Sequence, residues 1–506
     1  MTQVPTERLN IAEYFLDARV QEGLGKHPAL LTEAGALTYA DVQDLANRFG
    51  RILLDSGVEP EHRVLIALPD VPEFAGALFG TLKLGAVAVM ANPGLPQAEI
   101  EALLEYTRAR ALVVHRESAG PFRAAARGSR FVKAVLAVGE EDFDRRLDGA
   151  SSPLETFPSH RDDPAIWLFS GGTTGRPKAV VQTHRSFANT TECYGKQVIG
   201  YTDRDITLSV PKLYFGYATG SNLFFPFAVG ARAVLFPEPA TADVLFQKIR
   251  RFRPTVLINV PTMINKMVSH PRAREQDLSS IRVCTSAGEA LPEELYRKWK
   301  ATFGVELLDG LGTAEMWHIF VSNRIGSARP GTLGTAVPGF EVRVCDEEGR
   351  ELPDGETGWL WVRGDSRAIG YWQHMEKTMQ GFRGDWYVSG DMITKDAEGY
   401  ITYCGRGDEL MKVAGKWLAP QEVEGCLLQH PAVAEVCVVG IQDKDGLVKP
   451  RAYVVCRKRT GNLEEELKAF VRERLDPYKH PREVVFVDAL PRTHLGKVDR
   501  GALRRS

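Results

Sequence analysis

Nine consecutive residues carry the densest chemistry in the chain: Ser170, Gly171, Gly172, Thr173, Thr174, Gly175, Arg176, Pro177 and Lys178, set between the apolar runs AIWLF and AVVQTH. Glycines let backbone N–H groups approach an oxyanion closely, the hydroxyls add donors, and Arg176 and Lys178 add positive charge. That is the composition of a phosphate cradle. It is not a Walker A loop, because the GK[ST] ending and the following helix are missing. A polar hairpin tip would not need a string this specific. Gly310-Leu311-Gly312 suggests a dinucleotide turn, but it lacks the third glycine and the downstream acid and is set aside. Taken singly, Asp391 after Gly390 reads as a turn residue, and Lys497 in a polar tail reads as solvated surface.

A cradle needs strands and helices to hold it. Thr38 opens TYADVQDLANRFGRILLDSG, where Val42, Leu45, Phe49 and Leu53 recur at helical spacing and Gly57 is a stop signal. Strands over 63–69 and 86–94 alternate with helices over 72–85 and 96–109 before ALVVH, which predicts parallel sheet covered on both faces. After residue 205 the rhythm returns, with ITLSVP, ARAVLF, PTVLINV and IRVCTSA as strands and TADVLFQKIRRF and PEELYRKWKATFG as helices. From about Gly331 to Gly364 alternation and Gly-rich turns predict a β subdomain. Beyond GRGDELMKVAGKWLAP a helix, two strands and a helix follow. The fold class expected is therefore α/β: a large N-terminal domain over 1–407 of parallel-sheet α/β subdomains plus a β subdomain, then a hinge near Asp408 and a small α+β C-terminal domain over 408–506.

Composition narrows the function. A chain of 506 residues is too long for one core, which excludes a single-domain binding module. Lys plus Arg total 63 and Asp plus Glu 65, so no chain-wide field holds nucleic acid. The seven cysteines are scattered without CxxC spacing and read as buried thiols in a reducing compartment. The N-terminus lacks an apolar signal region, and the most apolar stretch, 74–90, is broken by Lys83 and glycines. A soluble cytoplasmic protein without a membrane partner is expected.

SGGTTGRPKAVVQTH resembles the phosphate loop of the adenylate-forming superfamily, which includes acyl-CoA synthetases, carrier-protein adenylation domains and luciferases. Similar elements follow in order: SAGEALP (286–292), DGLGTAE (309–315), SGD (389–391), GRGDELMKVAGKWLAPQEVE (405–424) and PRTHLGKVDR (491–500). The resemblance implies ATP, Mg²⁺ and coenzyme A. It implies phosphate contacts from Ser170, Gly171, Gly172, Thr174, Gly175 and Lys178, with Thr173 among the catalytic groups. Ser286, Ala287, Gly288 and Glu289 would lie beside adenine, and Asp309, Gly310, Leu311, Gly312 and Thr313 would complete the nucleotide seat. Glu315 resembles the carboxylate that helps hold Mg²⁺ on ATP oxygens. Asp391 resembles the ribose ligand, Arg406 a ribose or phosphate ligand, and Asp408 the hinge of a mobile C-terminal domain. Lys497 resembles the catalytic lysine, whose ammonium would offset repulsion between carboxylate and α-phosphate of roughly 1 to 4 kcal/mol per close pair. One departure stands out: the family's usual Thr before the glutamate is Ala314 here, which leaves Thr313 or a water to supply the hydroxyl.

Residues 210–231 and 312–323 resemble benzoate-CoA ligases and related aryl-CoA ligases. The implied acid pocket holds Phe215, Gly216, Tyr217, Gly312, His318, Ile319 and Lys497, whose flat walls suit a ring. On composition alone the same aromatic cluster reads as core. His318 would donate a hydrogen bond to the carboxylate or a ring substituent, or else be a satisfied buried histidine. Gly216 would leave room for a substituent, so 2-aminobenzoate and hydroxybenzoates stand beside benzoate. Lys412, Gly415, Lys416 and Trp417 would face the CoA thiol. The activity implied is an AMP-forming acid–thiol ligase acting as a monomer or homodimer. The alternatives are a stand-alone adenylation protein that loads a carrier phosphopantetheine, and an ATP-binding sensor without turnover.

Overall fold

The computed structural model describes residues 7–152, 154–170, 178–407, 410–413, 416–442, 447–457, 459, 461–492 and 498–505. Thr38 caps the first long helix, Tyr39–Asp55: its side chain accepts from the Asp41 N–H, and the Asp41 carboxylate accepts from the Thr38 N–H. This reciprocal capping satisfies two donors that a helix start leaves open. The next elements follow the expected rhythm as strand Arg63–Ala67, helix Pro72–Lys83, strand Val87–Met90, helix Gln97–Thr107 and strand Ala111–His115. Periodicity did not single out helix Ala119–Gly128 or edge strand Ala134–Val138.

These strands build a seven-stranded sheet with the order Gly370–Tyr371, Lys178–Thr183, Pro164–Ser170, Val87–Met90, Arg63–Ala67, Ala111–His115, Ala134–Val138. Its inner strands are parallel, as the alternation with helices requires. Side-chain alternation divides each strand between two cores. Val64 and Ile66 face the cluster of Phe49 and Phe74, while Leu65 and Ala67 face Ile100, Leu104 and Phe122. Lys178–Thr183 departs from the parallel expectation and runs antiparallel to Pro164–Ser170, with Ser170 opposite Lys178. A parallel crossover needs a dozen or more residues, and the glycine-rich connection is too short for one.

A nine-stranded sheet has the order Thr335–Ala336, Ile319–Ser322, Leu307–Gly312, Val283–Ser286, Val256–Asn259, Ile206–Ser209, Arg232–Val234, Pro28–Thr32, Gly35–Thr38. Val256, Ile258 and Val283 join the same core as Val64 and Ile66, so the two sheets share one central layer. Leu257, Cys284 and Leu307 face outward onto Phe246, Ile264 and Trp299. Each such buried side chain contributes about 1.5–3 kcal/mol relative to exposure. The β subdomain is antiparallel, with Glu341–Cys345, Thr357–Arg363, Trp386–Lys395 and Ile401–Arg406 in sequence across it.

Toward the C-terminus, helices Pro420–Leu428 and Leu463–Arg472 pack on a three-stranded sheet of Val433–Gln442, Val448–Cys456 and Glu483–Phe486. The cysteines are free thiols, five of them buried. Among the described residues no helix is long and apolar enough to cross a membrane.

Fully buried His184 accepts the Ile11 N–H at 3.1 Å through Nδ1, and burial pushes its imidazole down to about 3 from 6.5. A depressed folded value means that this contribution is intact above pH 6.5 and is lost as pH falls toward 3. Denaturant titrations between pH 7 and pH 4 are expected to show wild type losing up to about 1.4 kcal/mol more per pH unit than His184→Asn. Parallel slopes would absolve this histidine.

Candidate active site

The antiparallel strand Lys178–Thr183 is the seam on which the site is built. On one side its backbone binds the segment Ile369–Trp372, through Ile369 N–H to Val181 O at 3.0 Å and Trp372 N–H to Ala179 O at 2.9 Å. From the same strand Gln182 Nε2 donates to Ala314 O at 2.7 Å, holding the 3₁₀ turn Ala314–Met316. Thr313 Oγ1 caps that turn by accepting the Met316 N–H. The hydroxyl that was expected to replace the missing Thr at 314 thus has an oxygen engaged in the fold.

Buried Glu315 projects from this turn, and its Oε1 accepts the Tyr371 hydroxyl at 2.8 Å. Lys178 Nζ stands 4.3 Å from the centroid of the Tyr371 ring. Burial lowers the Lys178 ammonium from its usual range; nearby Glu315 opposes that shift, and Lys377 and Arg406 add to it. A cation and a carboxylate are therefore brought together at the end of the phosphate-loop hairpin.

A second cluster forms where Asp391 lies opposite Arg406 across adjacent strands. The Asp391 carboxylate is buried and accepts from Ser389 Oγ, from Tyr403 OH at 3.2 Å and from Arg406 Nη1 at 3.4 Å. Gly390 lies between them, where a Cβ would come within 2.5 Å of Arg406 Nη2 and oblige the guanidinium to shift.

Ser286 and Asp309 are partners across the parallel strands Val283–Ser286 and Leu307–Gly312. Burial pushes the Asp309 carboxyl up to about 8, so it holds a proton at neutral pH. Gly310, Leu311 and Gly312 continue that strand into a hairpin with Ile319–Ser322. Ala287 is buried, and Gly288 adopts φ +85°, a backbone conformation that suits glycine. Glu289 caps the helix Pro261–Val268, where its Oε2 accepts from Thr262 N–H at 3.0 Å and Oγ1 at 2.7 Å.

Between Glu315 and His318 the chain reverses at Trp317, a non-glycine residue at φ 60° and ψ −49°. Such a conformation costs about 1–3 kcal/mol and persists only where the surroundings over-determine it. Here the buried indole packs against Phe187, Phe224 and Phe225. The reversal lets His318 enter an aromatic cage of Tyr194, Tyr217 and Phe225.

His318 Nε2 is 3.1 Å from both Tyr217 O and Ser221 Oγ. A carbonyl only accepts, so Nε2 carries the hydrogen and Nδ1 is a bare acceptor with no protein partner. Burial lowers the ring to about 3, which keeps it neutral. Of the two expectations for His318, donor to the substrate or satisfied buried histidine, its Nε2 is engaged within the cage and Nδ1 is left for a ligand.

Tyr217 OH pairs with Thr285 Oγ1 at 2.7 Å, Ile319 is buried beside the cage, and Phe215 stays 39% exposed at its edge. Gly216, expected to leave room for a ring substituent, has the Leu168 side chain as its neighbour, 3.2 Å from where a Cβ would stand.

Gly171, Gly172, Thr173, Thr174, Gly175, Asp408, Gly415 and Lys497 lie outside the described residues. Lys412 and Trp417 are register partners in the strand pair Met411–Val413 and Lys416–Leu418. Among the described residues no group of three or more His, Cys, Asp or Glu side chains converges as a metal cage. A single buried carboxylate suits Mg²⁺, which keeps waters and takes most of its ligands from nucleotide phosphates. Tyr371, Tyr403 and Ser221 were not singled out from sequence, and Ser389 entered only within SGD (389–391). Their contacts arrive through strand register or helix packing.

A Cβ on Gly312 would lie 2.5 Å from His318 O. Gly312→Ala is expected to destabilise the protein by about 1–3 kcal/mol, because the obstacle is backbone rather than a movable side chain. Thermal unfolding measures this, and an unchanged Tm would show that the hairpin yields freely.

Residues 17–372 match the family described as AMP-binding enzyme, and residues 422–497 match the AMP-binding enzyme C-terminal domain. The chain is 39% identical to a benzoate–CoA ligase of Thauera aromatica, covering 98% of this chain and 96% of the relative. It is 36% identical to a 4-hydroxybenzoate–CoA/benzoate–CoA ligase of Rhodopseudomonas palustris, covering 99% and 95%. The crystal structure of the anthranilate CoA ligase AuaEII in complex with anthranoyl-AMP superposes with a TM-score of 0.94 at 36% identity, covering 99% of this chain and 98% of that one. This chain belongs to the AMP-binding enzyme family of adenylate-forming proteins, within its benzoate-CoA and aryl-CoA ligases.

Proposed function

We propose that this protein is an ATP-dependent, AMP-forming aryl-CoA ligase whose acid is benzoate or a benzoate bearing an amino or hydroxyl group. The observation that carries the reading is the four-residue span from Glu315 to His318. It sets a carboxylate suited to a divalent cation and an aromatic cage on opposite sides of one strained turn.

In the first half-reaction the aryl carboxylate attacks the α-phosphorus of ATP and pyrophosphate departs. The second transfers the acyl group from AMP to the thiol of CoA. Lys178 draws the triphosphate toward the hairpin, where Thr173 and the glycines around it supply donors. Asp391 accepts from the ribose hydroxyls, and Asp309 faces the base. Glu315 would hold Mg²⁺, which when bound would supply positive charge against the phosphates. Lys497 bridges the acid and the α-phosphate and so offsets the repulsion between two anions.

For CoA to reach the carbonyl, Lys497 must leave. Rotation of residues 408–506 about Asp408 accomplishes this and brings Lys412, Gly415, Lys416 and Trp417 toward the thiol. A C-terminal sheet with its own apolar core supports movement of that region as a unit. The same reading places the enzyme in the cytoplasm as a monomer or homodimer, with no nucleic-acid or membrane partner.

A panel of benzoate, 2-aminobenzoate, hydroxybenzoates and medium-chain aliphatic acids, scored for AMP and CoA thioester, tests the substrate class. Aryl acids should react, and turnover confined to aliphatic acids would refute the pocket. Replacing CoA with a holo-carrier protein separates the ligase from a carrier-loading enzyme. Lys497→Ala should lower acid-dependent pyrophosphate exchange at least about 100-fold while sparing thioester formation from supplied aryl-adenylate. Equal loss in both steps would contradict its role. Asp391→Asn should raise KM for ATP by about tenfold or more and leave KM for the acid within twofold. A selective change in the acid constant would move Asp391 out of the nucleotide seat.

A further inference from the structure

Tyr371 has no part in the scheme above, yet it touches both charged groups of the nucleotide side. Its hydroxyl donates to Glu315 Oε1 at 2.8 Å. A carboxylate offers only acceptors, so the shared proton comes from the phenol. The ring faces Lys178 Nζ at 4.3 Å from its centroid. Phe382 packs edge-to-face with the Tyr371 ring, and the Tyr387 phenol interacts electrostatically with both Tyr371 and Glu315.

The backbone that carries Tyr371 is clamped as well. Tyr371 pairs with Val180, its N–H donates to Thr378 Oγ1 at 3.0 Å, and Trp372 N–H donates to Ala179 O at 2.9 Å. Trp372 and Tyr106 then exchange two bonds: Trp372 Nε1 to Tyr106 O at 3.0 Å and Tyr106 OH to Trp372 O at 2.7 Å. A phenol held this firmly fixes what it touches. A cation and a carboxylate free to meet would neutralise each other and present little charge to a ligand; here both are held by one aromatic ring.

We propose that Tyr371 is the positioning residue of the metal–nucleotide seat: its hydroxyl orients the Glu315 carboxylate for the divalent cation, and its ring holds the Lys178 ammonium for the phosphates. This rests on the reading of Glu315 as the carboxylate beside the cation. Hydrogen-bonding partners of metal ligands typically govern 10- to 100-fold in metal affinity, so loss of one hydroxyl has a measurable effect.

The test uses the full-length protein and calorimetric binding of ATP without acid, once with Mg²⁺ and once with EDTA. Tyr371→Phe keeps the ring and removes the hydroxyl. It should weaken Mg·ATP binding about 10- to 100-fold, leave binding of metal-free ATP within about threefold, and move the Mg²⁺ dependence of pyrophosphate exchange to higher concentration. Tyr371→Leu, which removes the ring too, should also weaken metal-free ATP, because Lys178 loses its support.

Glu315→Gln separates the two ideas. If Glu315→Gln weakens Mg·ATP and Tyr371→Phe binds like wild type, the positioning role is overturned while Glu315 keeps its place. If Glu315→Gln itself leaves Mg·ATP unchanged, the reading of Glu315 fails first. The double variant Tyr371→Phe with Glu315→Gln should bind no worse than Glu315→Gln alone, and full additivity would mean that the hydroxyl acts elsewhere. Should Tyr371→Phe fold poorly, Tyr387→Phe provides a second arm with a smaller loss in the same direction. A wild-type response there, together with metal-independent weakening in Tyr371→Leu, would reduce Tyr371 to a packing role.

Discussion

A carboxylate taken out of water is costly unless its oxygens are hydrogen-bonded or paired. Glu315 is in that position, and the surrounding architecture follows from keeping it there. Its turn is tied to the seven-stranded sheet through Gln182, its backbone carbonyl accepts the Ala368 N–H, and its Oε1 accepts Tyr371. The antiparallel hairpin then delivers Lys178 to the same ring. Charge that a phosphate ligand needs is thus held before any ligand arrives, which lowers the reorganisation required on binding.

The reversal at Trp317 divides this polar seat from an apolar one. Its backbone conformation is unfavourable for a side chain with a Cβ, and the aromatic packing of the indole offsets the cost. With the chain folded back, two residues three positions apart serve opposite environments. Glu315 lies among a lysine and a phenol, whereas His318 lies among rings that strip its charge. A ligand that joins a ring to a phosphate-bearing nucleotide matches this pair of environments, and an aryl-adenylate has that character.

The two large sheets contribute unequally to that division. Side chains from both build one central apolar layer, while the polar groups collect at strand ends and on the strands toward one side of each sheet where pairing turns antiparallel. Loops and strand ends leave backbone groups available that the buried strand centres use internally. The antiparallel β subdomain adds Asp391 and Arg406 by the same logic, from neighbouring strands whose register sets them opposite each other. The C-terminal region keeps a separate core, so its chemistry is carried on an independently packed unit.

Much of this was legible in the residues alone. The hairpin glycines, the alternation of buried strands with helices, the Thr38 helix start and the order of the short motifs are local patterns, and local patterns survive without knowledge of what lies opposite. Partnerships across the fold were not legible. Tyr371 meets Glu315 across 56 residues, and Glu289 caps a helix that begins 28 residues earlier. The protonation of His318 and Asp309 depends on how completely other segments exclude water from them, and the neighbour of Gly216 is Leu168 from a strand far earlier in the chain. Sequence by itself determined the kinds of groups and the elements that bear them. Only the tertiary structure decided which groups touch, which are desolvated and which nitrogen of an imidazole is free, because those properties are set by neighbours distant along the chain.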